Sequence, residues 1–183
     1  MSSESENRVH PPMGPPDCPW REMSPDSPIP EDVVYQNGKL SGEDAYIGRV
    51  FDGQCLYVGT ALPSKNICFY LDKNLELKSS SSYEILTCAM GIPLYFSDLD
   101  FENRNNFPGG KDEDETLLIG RLVDESADNT YYGWVKKSTK CMYVPRESKI
   151  GPQKVDKDYE ILIHRFADRL CICPPCPFPG GPQ

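Results

Sequence analysis

A stretch of seven residues that occurs twice constrains this chain more than any other feature. Tyr46-Ile47-Gly48-Arg49-Val50-Phe51-Asp52 returns as Leu118-Ile119-Gly120-Arg121-Leu122-Val123-Asp124. The two arginines lie roughly 72 residues apart, somewhat longer than most solenoid periods but within the range of a repeated structural unit. Further landmarks follow each copy in the same order: Gly59 and Gly133, then Cys68-Phe69-Tyr70 and Cys141-Met142-Tyr143, then Tyr83-Glu84-Ile85-Leu86 and Tyr159-Glu160-Ile161-Leu162. Four matches in register point to duplication. Their drift reads as loop insertion, as at Ser126-Ala127-Asp128-Asn129.

Within each copy, short runs rich in Val, Ile, Tyr, Phe and Thr alternate with turn residues, the pattern of a pleated, half-buried surface. Residues 45–51, 54–58, 66–71 and 83–88 form one set of predicted strands; 117–123, 130–136, 140–144 and 158–164 form the other. Val33-Val34-Tyr35 reads as a short strand entering an Asn37-Gly38 turn, and Pro93-Leu94-Tyr95-Phe96 as an extra strand between the copies. Asp52-Gly53, Pro63-Ser64, Asp72-Lys73-Asn74 and the serine run 79–82 read as turns. A helix competes only over 160–170, where Leu162, Phe166 and Leu170 share a face; strand through Ile163 with a short helical turn after it fits better. The expectation is an all-β fold in which two tandem units pack their antiparallel sheets as one body. An N-terminal arm spans 1–19, the first unit 20–88, a connecting segment 89–106, the second unit 107–166 and a Cys/Pro/Gly-rich tail 167–183.

Composition excludes several function classes. A net charge of −9 opposes binding to a phosphate backbone, which needs clustered Lys and Arg. No apolar run is long enough to span a bilayer, and the acidic start Met1-Ser2-Ser3-Glu4 lacks the apolar core of a secretory signal. The expected compartment is the cytoplasm, with export by a route without a signal peptide left open. The eight cysteines then read as thiols rather than a disulfide framework. Enzyme chemistry has little to work with: the two histidines are His10 and His164, and no Gly-x-Ser-x-Gly, Walker or His-Glu-x-x-His pattern occurs. Neither an enzyme nor a cofactor is expected. Cys171, Cys173 and Cys176 could hold zinc only with a fourth ligand such as Cys18 or His164; lipidation, redox pairing or an unmodified tail fit the proline-crowded segment better.

The ordered set of Trp20, Val33-Val34, Tyr46-Ile47-Gly48-Arg49, Gly59, Cys68-Phe69-Tyr70 and Tyr-Glu-Ile-Leu, present largely twice over about residues 20–165, resembles the DM-nine repeat family. The resemblance implies an all-β pair of repeats, often a homodimer, and a lectin-like role: some members bind mannose and serve in pathogen recognition, others have no established activity. It also implies a sugar site built from an aspartate nine residues before the motif arginine and a lysine after the central glycine. In the first copy Leu40 and Thr60 stand there and do not fit. In the second, Asp112 keeps the acidic position, with Asp114 beside it; Trp134 follows Gly133, and Lys136 and Lys137 lie just beyond.

The expected carbohydrate-binding residues are therefore Asp112, Asp114, Trp134 and Lys136, with mannose-type glycans as the partner. Asp112 could accept two sugar hydroxyls, Lys136 could donate, and Trp134 could offer a platform to the sugar's C–H face. The competing readings are a solvated acidic turn at 111–115 and a tryptophan in the core. Arg49 and Arg121 read as structural, an ion pair or a stem lying along the sheet, rather than as ligands, and Gly48, Gly59, Gly120 and Gly133 as marks of a bulge or of close backbone approach.

Overall fold

A computed structural model of the chain describes residues 19–88 and 94–164. Over these residues the protein is all-β and antiparallel. The strands are β1 (Trp20–Met23), β2 (Gly38–Leu40), β3 (Glu43–Asp52), β4 (Cys55–Leu62), β5 (Ile67–Leu71), β6 (Leu77–Ser80) and β7 (Tyr83–Leu86). They continue as β8 (Leu94–Ser97), β9 (Pro108–Lys111), β10 (Thr116–Asp124), β11 (Asn129–Lys136), β12 (Cys141–Tyr143), β13 (Lys154–Val155) and β14 (Glu160–His164). Hydrogen bonds run continuously along β1-β7-β3-β4-β9-β10-β11-β12-β13, with β14 and β8 branching from β10, β5 and β6 from β4, and β2 from β3.

The sequence-matched residues take matched places. In the β3–β4 hairpin Gly48 faces Gly59, and in the β10–β11 hairpin Gly120 faces Gly133. These glycines are sites of close approach: a Cβ on Gly59 would lie 2.1 Å from the Phe69 carbonyl oxygen, and one on Gly133 the same distance from that of Tyr143. Arg49 and Glu84 face each other across β3 and β7, with Nε 2.5 Å from Oε2; Arg121 and Glu160 do so across β10 and β14, with Nη2 2.6 Å from Oε2. Each guanidinium also lies over an aromatic ring, Trp20 under Arg49 at 4.2 Å and Phe96 under Arg121 at 4.3 Å. The arginines are structural ion pairs with an added cation–π contact.

The principal core draws on both halves. Ile47, Tyr57, Val58, Leu71 and Ile85 pack with Leu117, Ile119, Tyr132, Trp134 and Leu162 in one cluster; Leu118, Tyr131, Val135, Met142 and Ile161 form a second on the C-terminal half. Two side chains tie the halves with hydrogen bonds. Thr60 Oγ1 donates to the Tyr132 carbonyl at 2.9 Å and accepts from the Tyr132 N–H at 2.8 Å. Trp134 Nε1 donates to the Leu71 carbonyl at 2.9 Å.

Several strands differ from the expectation. Val33-Val34-Tyr35 is not a strand: Val33 makes a single bridge to Thr87, Val34 N–H reaches the Leu86 carbonyl, and the strand begins at Gly38. Val33 spends its N–H on the Pro30 carbonyl, 3.2 Å away, in a local turn rather than in a ladder. Ser79 and Ser80 belong to β6, not a turn, because their backbones pair with Phe69 and Cys68. β1, β9 and β13 are short strands whose local sequence carries no alternation. Residues 89–93, and everything after 164, including the proposed helical turn and the cysteine tail, lie outside the described residues.

Replacing Thr60 by Val keeps the volume but removes both bonds to Tyr132 and leaves buried backbone groups unpaired. The expected loss is about 1–3 kcal/mol of unfolding free energy, read as a lower urea midpoint with an unchanged slope.

Candidate functional site

The site grows out of the turn between β9 and β10. Lys111 to Glu115 is acidic and mostly exposed, but Asp112 turns inward and is only 8 % exposed. Its Oδ1 accepts the N–H groups of Asp114 and Glu115 at 2.9 and 2.8 Å, and its own N–H donates to the Glu115 carbonyl. This is the local turn that an Asx side chain builds for itself. Its Oδ2 meets Lys136 Nζ at 2.6 Å. Lys136 arrives from the end of β11, the partner strand of β10, and its ammonium also lies 3.7 Å from the exposed carboxylate of Asp114.

Three of the four residues expected from sequence, Asp112, Asp114 and Lys136, therefore converge. Their arrangement differs from the expectation in one respect. A carboxylate has about four lone-pair positions; three on Asp112 are occupied, so it can accept one further hydroxyl rather than two. The acceptor for a second is Asp114, which keeps its side chain in water.

Trp134 is not a platform. It is 3 % exposed, stacks on Tyr143 with ring centroids 3.8 Å apart, lies 5.7 Å from Tyr57, and spends its N–H on Leu71. Both faces of the indole are covered by the core. Thr60 in the first half is likewise committed, to Tyr132. Leu40 packs against both core clusters, and Leu62 at the end of β4 is buried, so the place of the Asp112–Lys136 pair is apolar in the first half.

The turn also borders a cleft between the halves. Glu113 pairs with Lys73 at 2.7 Å, and the cavity of about 280 Å³ beside them is lined by Asp52, Gln54, Tyr57, Asp72 and Lys78 of the first half. Asp72 repeats the Asp112 design: Oδ1 accepts from the N–H groups of Asn74 and Glu76, and Oδ2 pairs with Lys78 at 2.8 Å. Lys78 also reaches Asp52 at 3.3 Å, whose other contact is the Tyr70 hydroxyl. Sequence reasoning missed this cluster. Asp72-Lys73-Asn74 signals only a turn, and nothing local shows that Lys78 folds back over it or that Glu113 arrives from the other half.

The electrostatics follow from these partners. Burial works to raise the Asp112 carboxyl, but the Lys136 ammonium and the N–H groups of Glu115 and Asp114 outweigh it and hold it below the usual aspartate value. Asp72 is lowered in the same way, burial being outweighed by Lys78 and the N–H groups of Glu76 and Asn74. Lys136 is raised, chiefly by its bond to Asp112. Burial, with the bond to Asp52 adding, pushes the Tyr70 hydroxyl up to about 12. Among the described residues no group of three or more His, Cys, Asp or Glu is placed to hold a metal. No helix there is long and apolar enough to cross a membrane.

A depressed carboxyl contributes stability that is present above its unfolded value of about 3.9 and disappears as pH falls through the folded value. Asp112→Asn should therefore be less stable than wild type near neutral pH, and the gap should close below about pH 4. Urea titrations of both proteins across that range measure it; a gap independent of pH would remove the ionised pair from the account.

The comparisons agree with this architecture. A family model described as the DM9 repeat matches residues 39–150, more than half of the chain. No curated protein gives a significant match. The matched segment runs from β2, through both glycine-paired hairpins and the Asp112 turn, to the loop after β12. The DM9 module is lectin-like and carbohydrate-binding, and this all-β chain belongs to the DM9 repeat family.

Proposed function

We propose that the protein is a non-catalytic lectin that binds mannose-type glycans at the β9–β10 turn, with Asp112, Asp114 and Lys136 as the contacting residues. The observation that carries the reading is the Asp112–Lys136 pair, 2.6 Å apart and locked by the turn's own N–H groups, in a turn whose next residue, Glu113, lines a cleft walled by the first half. Vicinal hydroxyls each present a donor and an acceptor. One can donate to the remaining lone pair of Asp112 and accept from Lys136; its neighbour can donate to Asp114. Bonds to charged partners contribute about 1.5–3 kcal/mol each, which suits the weak binding of a single sugar ring. The cleft, about 280 Å³, is at the small end of ligand cavities, which run from about 300 Å³. Trp134, buried in the core, does not touch the sugar.

A second reading is that the fold serves as an interaction module and no longer binds sugar. It is favoured by the first half, where Leu40 and Leu62 replace the charged pair, and by the commitment of both positions after the central glycines to core hydrogen bonds.

Titration with methyl α-mannoside, backed by a glycan array, separates the two. Asp112→Asn should weaken binding about tenfold or more, whereas Leu40→Ala should leave it unchanged. Absence of binding at millimolar sugar ends the lectin reading in favour of the interaction module. Binding that survives Asp112→Asn moves the site elsewhere.

A further inference from the structure

A second cavity, of about 550 Å³ and open to solvent, shares no residue with the first and has Arg146 in its wall. This arginine is only 9 % exposed, yet it forms no ion pair with any described carboxylate. Nε and Nη2 both donate to one acceptor, the Pro152 carbonyl, at 3.1 and 2.9 Å. A guanidinium carries five N–H donors, so most of its capacity is unspent. The head group is nonetheless fixed. It lies 5.8 Å from the Tyr131 ring centroid, Gln153 Nε2 donates to the Arg146 carbonyl, and Gly151 leaves it room: a Cβ there would come within 2.7 Å of Arg146 Cζ.

The contrast with the first half is informative. Three residues after Tyr70 stands Lys73, which Glu113 neutralises; three residues after Tyr143 stands Arg146, and at the position matching Glu113 the sequence has Ser41. No described carboxylate lies within ion-pair distance of the guanidinium, although Ser126 chiefly, and Arg146 in part, hold the nearby Asp124 carboxyl below its usual value; the unspent donors of a planar fork suit an incoming carboxylate.

The rest of the wall narrows the ligand. Asp124, Glu125, Asp156 and Asp158 face the same cavity, with Lys154 and Lys157 beside Arg146, and the four carboxylates disfavour a polyanion such as a phosphate chain. They can instead accept hydroxyl donors. Leu122, Val123 and Val155 add an apolar strip, with Val123 largely exposed. One carboxylate, several hydroxyls and an apolar ring face together describe an acidic monosaccharide.

We propose that this cavity is a second carbohydrate subsite, selective for a sugar bearing a single carboxylate of the uronic-acid type, with Arg146 as the carboxylate anchor. The sugar component rests on the lectin reading above; the anion anchor rests on Arg146 itself.

The test uses the full-length protein and sodium D-glucuronate, followed by calorimetry and by the Arg146 Nε–H resonance. Glucuronate at about 10 mM should shift that resonance, while glucose and sodium acetate at the same concentration should do so at least about tenfold less effectively. Excess methyl α-mannoside should not displace glucuronate, so failure here is distinct from failure of the Asp112 site. R146Q should weaken glucuronate about tenfold or more. Because Arg146 also holds the loop at Pro152, V123E provides a second variant: it adds a negative charge at an exposed point of the wall and should weaken glucuronate without lowering the melting temperature. Glucose or acetate matching glucuronate overturns the proposal, as does a folded R146Q that binds normally. If R146Q does not fold, glucuronate binding indifferent to V123E overturns it.

Discussion

The bonds on which the rest of the structure depends cross between its halves: Thr60 to the backbone of Tyr132, and the Trp134 indole to the carbonyl of Leu71. Both donors stand immediately after a central glycine, on strands whose glycines let the next strand approach closely. The close approach sets the height of each hairpin, and the side chain after it reaches across to the other half. Neither half can bury its inner face alone. Tyr57 packs at a tilt against Trp134 from the opposite half, and Trp134 stacks on Tyr143, so the aromatic centre of the core exists only when both are present.

This dependence shapes the candidate site. A position that could have carried a sugar-facing group is spent on cohesion in each half, by Thr60 in one and Trp134 in the other. The polar chemistry moves to the next outward place, the end of β11, where Lys136 leaves the core and meets Asp112. The turn is built to keep that carboxylate ionised: two N–H groups and an ammonium offset its burial. In the first half the corresponding turn carries Leu40, and the chain fills the space with apolar contact. The two halves place matched residues at matched points of their hairpins and differ in what the turns present.

The outer faces are held by a different device. Arg49 between Trp20 and Glu84, and Arg121 between Phe96 and Glu160, each join three strands by a ring contact and an ion pair. Arg146 has a ring and a carbonyl but makes no ion pair with a described carboxylate, which sets it apart from the other two.

Much of the scaffold was legible in the chain itself. The order of matched motifs, the β-rich runs and the glycines within them determine an all-β antiparallel fold, because strand alternation and close approach are local demands on residue type. Asp112 became a candidate through the resemblance, which implies an aspartate nine residues before the motif arginine, and not through any local pattern. What depended on tertiary structure was everything decided by the other half. Sequence alone could not say whether Trp134 faces solvent or core, since a tryptophan serves either. It could not show that Ser79 and Ser80 pair as a strand, that Lys78 bridges Asp72 and Asp52, or that Glu113 meets Lys73. Nor could it show that Arg146 makes no ion pair with a described carboxylate in a chain rich in them. These contacts join residues far apart in the chain, and burial and pairing across such distances are set only when the sheets close on one another.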